Sequence, residues 1–100
     1  AAVHGRPPSL EDLPLDRIRS IAALHGATHV RVFGSVARGD SSAASDLDLL
    51  VHMDRDRSLL DLVGLEQDLS DLLGTHVDVV TEEGLPPDLL ATILEEAVAL

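Results

Sequence analysis

Hydrophobic side chains first take up a helical rhythm at Leu15, Ile18, Ile21, Ala22 and His25, which fall on one stripe. Pro14 is acceptable in the first turn of such a helix and Gly26 provides its stop. Thr28 to Phe33 then reads as a strand that ends at Gly34. A second strand opens at Asp46-Leu47-Asp48-Leu49-Leu50-Val51 and runs to about Met53. Its initial alternation puts Asp46 and Asp48 on one face, with Leu47, Leu49 and Val51 on the other. The charged run Asp54 to Arg57 is a solvated loop, and Ser58 with Asp61 forms a shortened capping box. Leu59, Leu62, Val63, Leu69, Leu72 and Leu73 sustain the next helix to Gly74. Gly64 interrupts that helix at a cost of about 1 kcal/mol relative to Ala, which points to close packing on the sheet. His76 to Val80 alternates again and sets Asp78 opposite Val77 and Val79. Pro86-Pro87-Asp88 opens a last helix, carried to the end of the chain by Leu89, Ile93, Ala97 and Leu100.

The order helix, strand, strand, helix, strand, helix predicts an α/β (α+β) fold, a small mixed sheet with helices packed on one face. Residues 1–12, with Gly5 and the Pro7-Pro8 pair, read as a flexible N-terminal arm, and residues 13–100 as a single domain. Composition narrows the chemistry. The net charge of -11 disfavours direct contact with a nucleic-acid backbone, and the seven cationic residues are all Arg and scattered. Without Lys, a Walker-type phosphate loop is excluded, and without Cys there is neither a disulfide nor a thiolate zinc site. Phe33 is the sole aromatic residue, so no platform exists for stacking bases. No apolar run approaches the roughly 18 residues of a membrane span, so no membrane contact is expected and the cytoplasm is the expected location.

The stretch from Gly34 to Asp48 holds the candidate chemistry. Gly34 lets the backbone turn sharply after a strand and approach a ligand, and Ser35 opens a turn whose N–H groups and hydroxyl face an anion. Asp46 and Asp48, side by side on a strand, repel each other, and a divalent cation such as Mg²⁺ removes that cost. Each feature alone has a plainer reading: a turn after a strand, or the wet face of a half-buried strand. Among the histidines, His25 and His29 are separated by Gly26 and do not share a helix face, whereas His76 shares a strand face with Asp78 and either borders the site or, on the commoner reading, is an edge-surface residue. Glu95 and Glu96 read as the outer face of the last helix.

Gly34-Ser35-Val36-Ala37-Arg38-Gly39, followed by Ser45-Asp46-Leu47-Asp48 on the next strand and Asp78 on a later one, resembles the DNA-polymerase-beta-like nucleotidyltransferases. The form of the motif is most similar to the minimal nucleotidyltransferases, the antitoxin halves of HEPN/MNT toxin-antitoxin pairs. The resemblance implies two-metal nucleotidyl transfer. Asp46 and Asp48 would bridge two Mg²⁺ ions, and Asp78 would complete the second metal site and act as general base. Gly34, Ser35, Arg38 and Ser45 would hold the nucleotide, ATP, with Arg38 either countering charge on the leaving pyrophosphate or pairing with a carboxylate to fix the turn.

This length leaves no room for an acceptor-binding domain. The resemblance therefore implies a partner, a HEPN-family RNase toxin, that brings a tyrosine to be modified with AMP; the chain has no Tyr of its own. Competing expectations are an antitoxin that neutralises its toxin by binding alone, a small-molecule (antibiotic) nucleotidyltransferase with a pocket between subunits, and an α/β regulatory module that binds no nucleotide.

Overall fold

The computed structural model describes residues 13–39 and 46–100, so the expected N-terminal arm and Ser45 lie outside the described residues. The elements run α1 (Leu15–Leu24), β1 (Ala27–Phe33), α2 (Ser35–Arg38), β2 (Leu47–Met53), α3 (Leu59–Leu73), β3 (Val77–Thr81), a 3-10 turn (Glu82–Gly84), α4 (Pro87–Glu96) and β4 (Val98–Ala99). The four strands form one mixed sheet in the order β3-β2-β1-β4. β2 lies antiparallel to β1 and parallel to β3. A parallel neighbour needs a crossover, and α3 supplies it.

Alternation in β2 decides which face is dry. Leu47, Leu49 and Val51 are fully buried and meet Ile18 and Ala22 of α1, Leu65 and Leu69 of α3, and Val77 and Val79 of β3 in one core. Each such aliphatic side chain contributes about 1.5–3 kcal/mol by leaving water. The sheet with helices on one face that the pattern predicts is thus present in α1 and α3. Leu50, on the reverse face, is also completely buried, which accounts for three consecutive apolar residues where strict alternation would have ended. In β1 the phase slips: Ala27, Val30 and Val32 are all buried because the register shifts between Thr28 and Arg31, where His29 takes φ 53°.

The capping signals at the start of α3 are met. The Ser58 hydroxyl accepts from the Leu60 N–H at 3.2 Å, and the Asp61 carboxylate accepts from the Ser58 N–H at 3.0 Å. That N–H holds Asp61 below the usual carboxylate range. Gly64 has a different reason from the one expected. A Cβ there would lie 2.9 Å from His25 Cε1, so the glycine admits α1's terminal histidine rather than the sheet. His25 Nε2 in turn lies 2.7 Å from Asp68 Oδ2, which ties the two helices together.

The last element differs from the expectation. α4 ends at Glu96 rather than continuing to Leu100, Ala97 is extended, and Val98 and Ala99 pair with Val32 and Arg31. The free edge of β1 would otherwise leave backbone donors and acceptors unpaired, and β-branched Val98 suits a strand. On the reverse face, Arg31 Nη1 donates to Glu82 at 2.6 Å, and His52 Nδ1 lies 2.9 Å from Glu83 Oε2. These contacts clamp the turn that follows β3.

Candidate active site

One rung of the sheet carries the acids. Phe33 at the end of β1 pairs with Asp48 near the start of β2, and Asp48 pairs with Asp78 near the start of β3. Asp46 precedes β2 and stays exposed. The Leu47 N–H donates to the His76 carbonyl at 3.0 Å, which brings His76 beside Asp46. As a result one ligand atom each from Asp46, His76 and Asp78 lies within 4.8 Å of the others. Within that group His76 Nε2 is 2.9 Å from Asp78 Oδ1. Asp48 lies outside this triad and points its carboxylate toward Gly34.

Gly34 is required by geometry. Its φ of 77° and ψ of -152° belong to a region that is essentially glycine's alone. A Cβ at this position would lie 2.5 Å from Asp48 Oδ2. Ser35 begins the one-turn helix α2, and Gly39, left-handed at φ 78°, closes it. The Gly34 N–H donates to Glu96 Oε1 at 3.0 Å, and Arg38 Nη1 donates to Glu96 Oε2 at 3.3 Å. Arg38 thus pairs with a carboxylate, one of the two roles expected of it, and Glu96 is among its partners. Glu96 is accordingly not a residue of the helix's outer face: α4 ends there and delivers it into the glycine turn.

The electrostatics are those of crowded negative charge. Burial raises the pKa of Asp48, and the charges of Asp78, Asp46 and Glu96 raise it further against the opposing pull of Arg38. The Asp78 hydrogen bond raises His76. Two residues outside the motif join the acids at this place. His76 carried a usable signal, its strand face shared with Asp78. Glu96 carried none, since it reaches Gly34 from the far end of the chain.

The site therefore sets carboxylates of two parallel strands side by side, with the one on β2 against a glycine-led turn. The chain belongs to the nucleotidyltransferase domain family, whose model matches residues 15–100, and it is a nucleotidyltransferase. The Thermococcus cleftensis protein adenylyltransferase MntA is 37% identical over 94 residues, covering 86% of this chain and 95% of that protein. A solved structure provisionally described as a minimal nucleotidyltransferase is 50% identical, with a TM-score of 0.79, covering 85% of this chain and 87% of its own. A crystal structure of a toxin-antitoxin with AMP-PNP has the same fold at 20% identity and a TM-score of 0.76, covering 87% of this chain and 72% of that one. The resemblance to minimal nucleotidyltransferases read from the motif is thereby borne out. Among the described residues no helix is long and apolar enough to cross a membrane.

Proposed function

We propose that this chain is an antitoxin that transfers AMP from ATP to a tyrosine of a cognate HEPN-family RNase toxin and so silences it. The observation that carries the reading is the rung joining Asp48 to Asp78, with Asp46 alongside and the Gly34 backbone pressed against Asp48. The relative named protein adenylyltransferase MntA supports the chemistry, and the toxin-antitoxin fold neighbour with AMP-PNP supports the setting.

The donor set fits hard divalent cations: the carboxylate oxygens suit Mg²⁺, and the like charges that raise Asp48 are what a cation would relieve. Asp46, Asp48 and Asp78 would hold two such ions, which when bound supply charge neutralisation on the triphosphate and a more acidic attacking hydroxyl. The Gly34 N–H and Ser35 hydroxyl bind the outer phosphates, with Ser45 as a further nucleotide contact. Arg38 exchanges Glu96 for phosphate oxygen. Asp78 takes the tyrosine proton. The tyrosine oxygen then bonds to the α-phosphorus as the bond to the bridging oxygen breaks, and pyrophosphate leaves in line. Having no Tyr, the chain does not serve as its own tyrosine acceptor.

The test is the intact mass of the protein that co-purifies with this chain when it is expressed with its gene neighbours, beside the Asp46→Ala version. A partner heavier by one or more AMP units only with the native chain is the expected result. A bound but unmodified partner in both would replace this reading with neutralisation by binding, and no partner at all would favour a small-molecule acceptor.

A further inference from the structure

We propose that His76 supplies a nitrogen ligand to the cation held by Asp46 and Asp78, and so biases the site from Mg²⁺ toward first-row transition ions such as Mn²⁺. The inference rests on the metal-dependent reading above and adds to it a residue outside the motif.

Ligands about 2.1 Å from an octahedral ion occupy adjacent corners about 3 Å apart and opposite corners about 4.2 Å apart. His76 Nε2 and Asp78 Oδ1 stand 2.9 Å apart, the spacing of adjacent corners. The Asp46 oxygen completes a set whose members all lie within 4.8 Å, which a small side-chain rotation brings to octahedral distances. An ion can thus take the place of the proton between His76 and Asp78 without backbone movement. The backbone is fixed where it needs to be, because the His76 carbonyl accepts from the Leu47 N–H, next to Asp46. Both side chains are open to solvent, with His76 64% and Asp78 50% exposed, so an ion has access.

The second His-carboxylate group, His52 with Glu82 and Glu83, makes a useful contrast. Its carboxylates already serve the fold: Glu82 accepts from Arg31 at 2.6 Å and Glu83 accepts from the Met53 N–H at 3.3 Å. The choice of ion follows from ligand type. Mg²⁺ keeps to oxygen and releases water reluctantly, whereas a first-row transition ion accepts imidazole nitrogen beside carboxylates and gains from it.

The experiment uses the purified chain with Mn²⁺ as the probe, read by pulsed electron paramagnetic resonance and by competition with Mg²⁺. The native chain is expected to bind Mn²⁺ with nitrogen-14 modulation of the echo and to prefer it to Mg²⁺. His76→Gln, which can still hydrogen-bond Asp78, should bind Mn²⁺ about 10-fold or more weakly, lose the modulation and show a smaller preference for Mn²⁺ over Mg²⁺. Mn²⁺ bound to the native chain without nitrogen modulation, or modulation that survives in His76→Gln, overturns the role of His76 while leaving the carboxylate site standing. Asp46→Asn separates the two ideas. If neither the native chain nor this variant binds Mn²⁺, with or without a non-hydrolysable ATP analogue, the metal-dependent reading itself falls together with the inference.

Discussion

Replacing Gly34 with Ala tests how tightly the turn is built onto the acids. Two costs add. A non-glycine residue at φ 77° and ψ -152° pays about 1–3 kcal/mol in backbone strain. The new Cβ would also lie 2.5 Å from Asp48 Oδ2 and 3.4 Å from its Cγ, so the carboxylate must move, at an overpacking cost of about 1–3 kcal/mol. Together these predict a loss of about 2–6 kcal/mol for Gly34→Ala. Gly39→Ala is the control: φ is 78° there too, but an added Cβ meets nothing within 4 Å among the described residues, so the left-handed cost of about 1–2 kcal/mol is the one that applies. Equilibrium urea unfolding in chelator measures both. Truncating Asp48 to Ala removes the clashing Oδ2 and Cγ and leaves its Cβ 3.5 Å from the new methyl, an ordinary contact. The Gly34→Ala, Asp48→Ala pair should therefore recover about 1–3 kcal/mol in a double-mutant cycle, while the backbone share persists. A Gly34→Ala cost no larger than that of Gly39→Ala, or additivity of the pair within about 0.5 kcal/mol, would refute the reasoning.

Three further outcomes follow from the same contacts. Burial and the charges of Asp78 and Asp46 raise the folded pKa of Asp48, so its ionised form burdens the fold as pH rises from the unfolded value of 3.8 through the raised one. Asp48→Asn should then melt above the native chain at neutral pH without metal, with the advantage shrinking toward pH 4; a lower melting point at pH 7 contradicts this. Glu82 has the opposite sign. The Arg31 hydrogen bond depresses its pKa below 4.5, so its stabilisation is present above that value and lost as pH falls through the depressed one. Glu82→Gln should cost about 1 kcal/mol at pH 7, the low end for a charged hydrogen bond because solvent reaches the pair, and nothing in strong acid; a cost independent of pH removes the ion pair as its cause. Glu96→Gln keeps an acceptor for the Gly34 N–H while removing a charge that competes with phosphate, so calorimetric affinity for a non-hydrolysable ATP analogue should rise by up to about tenfold, about 1.4 kcal/mol. Weaker binding would show that Glu96 supports the nucleotide site.

What the sequence reveals of this site divides by distance along the chain. The Ser58–Asp61 box and the alternation of Asp46, Leu47 and Asp48 are local, and both are readable from residue type and period. The pairing of Asp48 with Asp78 is not local, because it depends on the parallel register that sets Leu47 beside Val77. Glu96 depends on more still: α4 must stop at the glutamate itself, and that stop follows from Val98 and Ala99 completing the edge of β1, a two-residue pairing with no periodic trace. The same reasoning shows what enforces the site. A one-residue slip of β2 would turn Asp46 and Asp48 onto the face of Ile18 and Leu65 and carry Leu47, Leu49 and Val51, all fully buried in the native register, out of that core. Losing that burial, at about 1.5–3 kcal/mol for each side chain, outweighs any gain from separating the acids, so the apolar residues of β2 hold its carboxylates against their own repulsion.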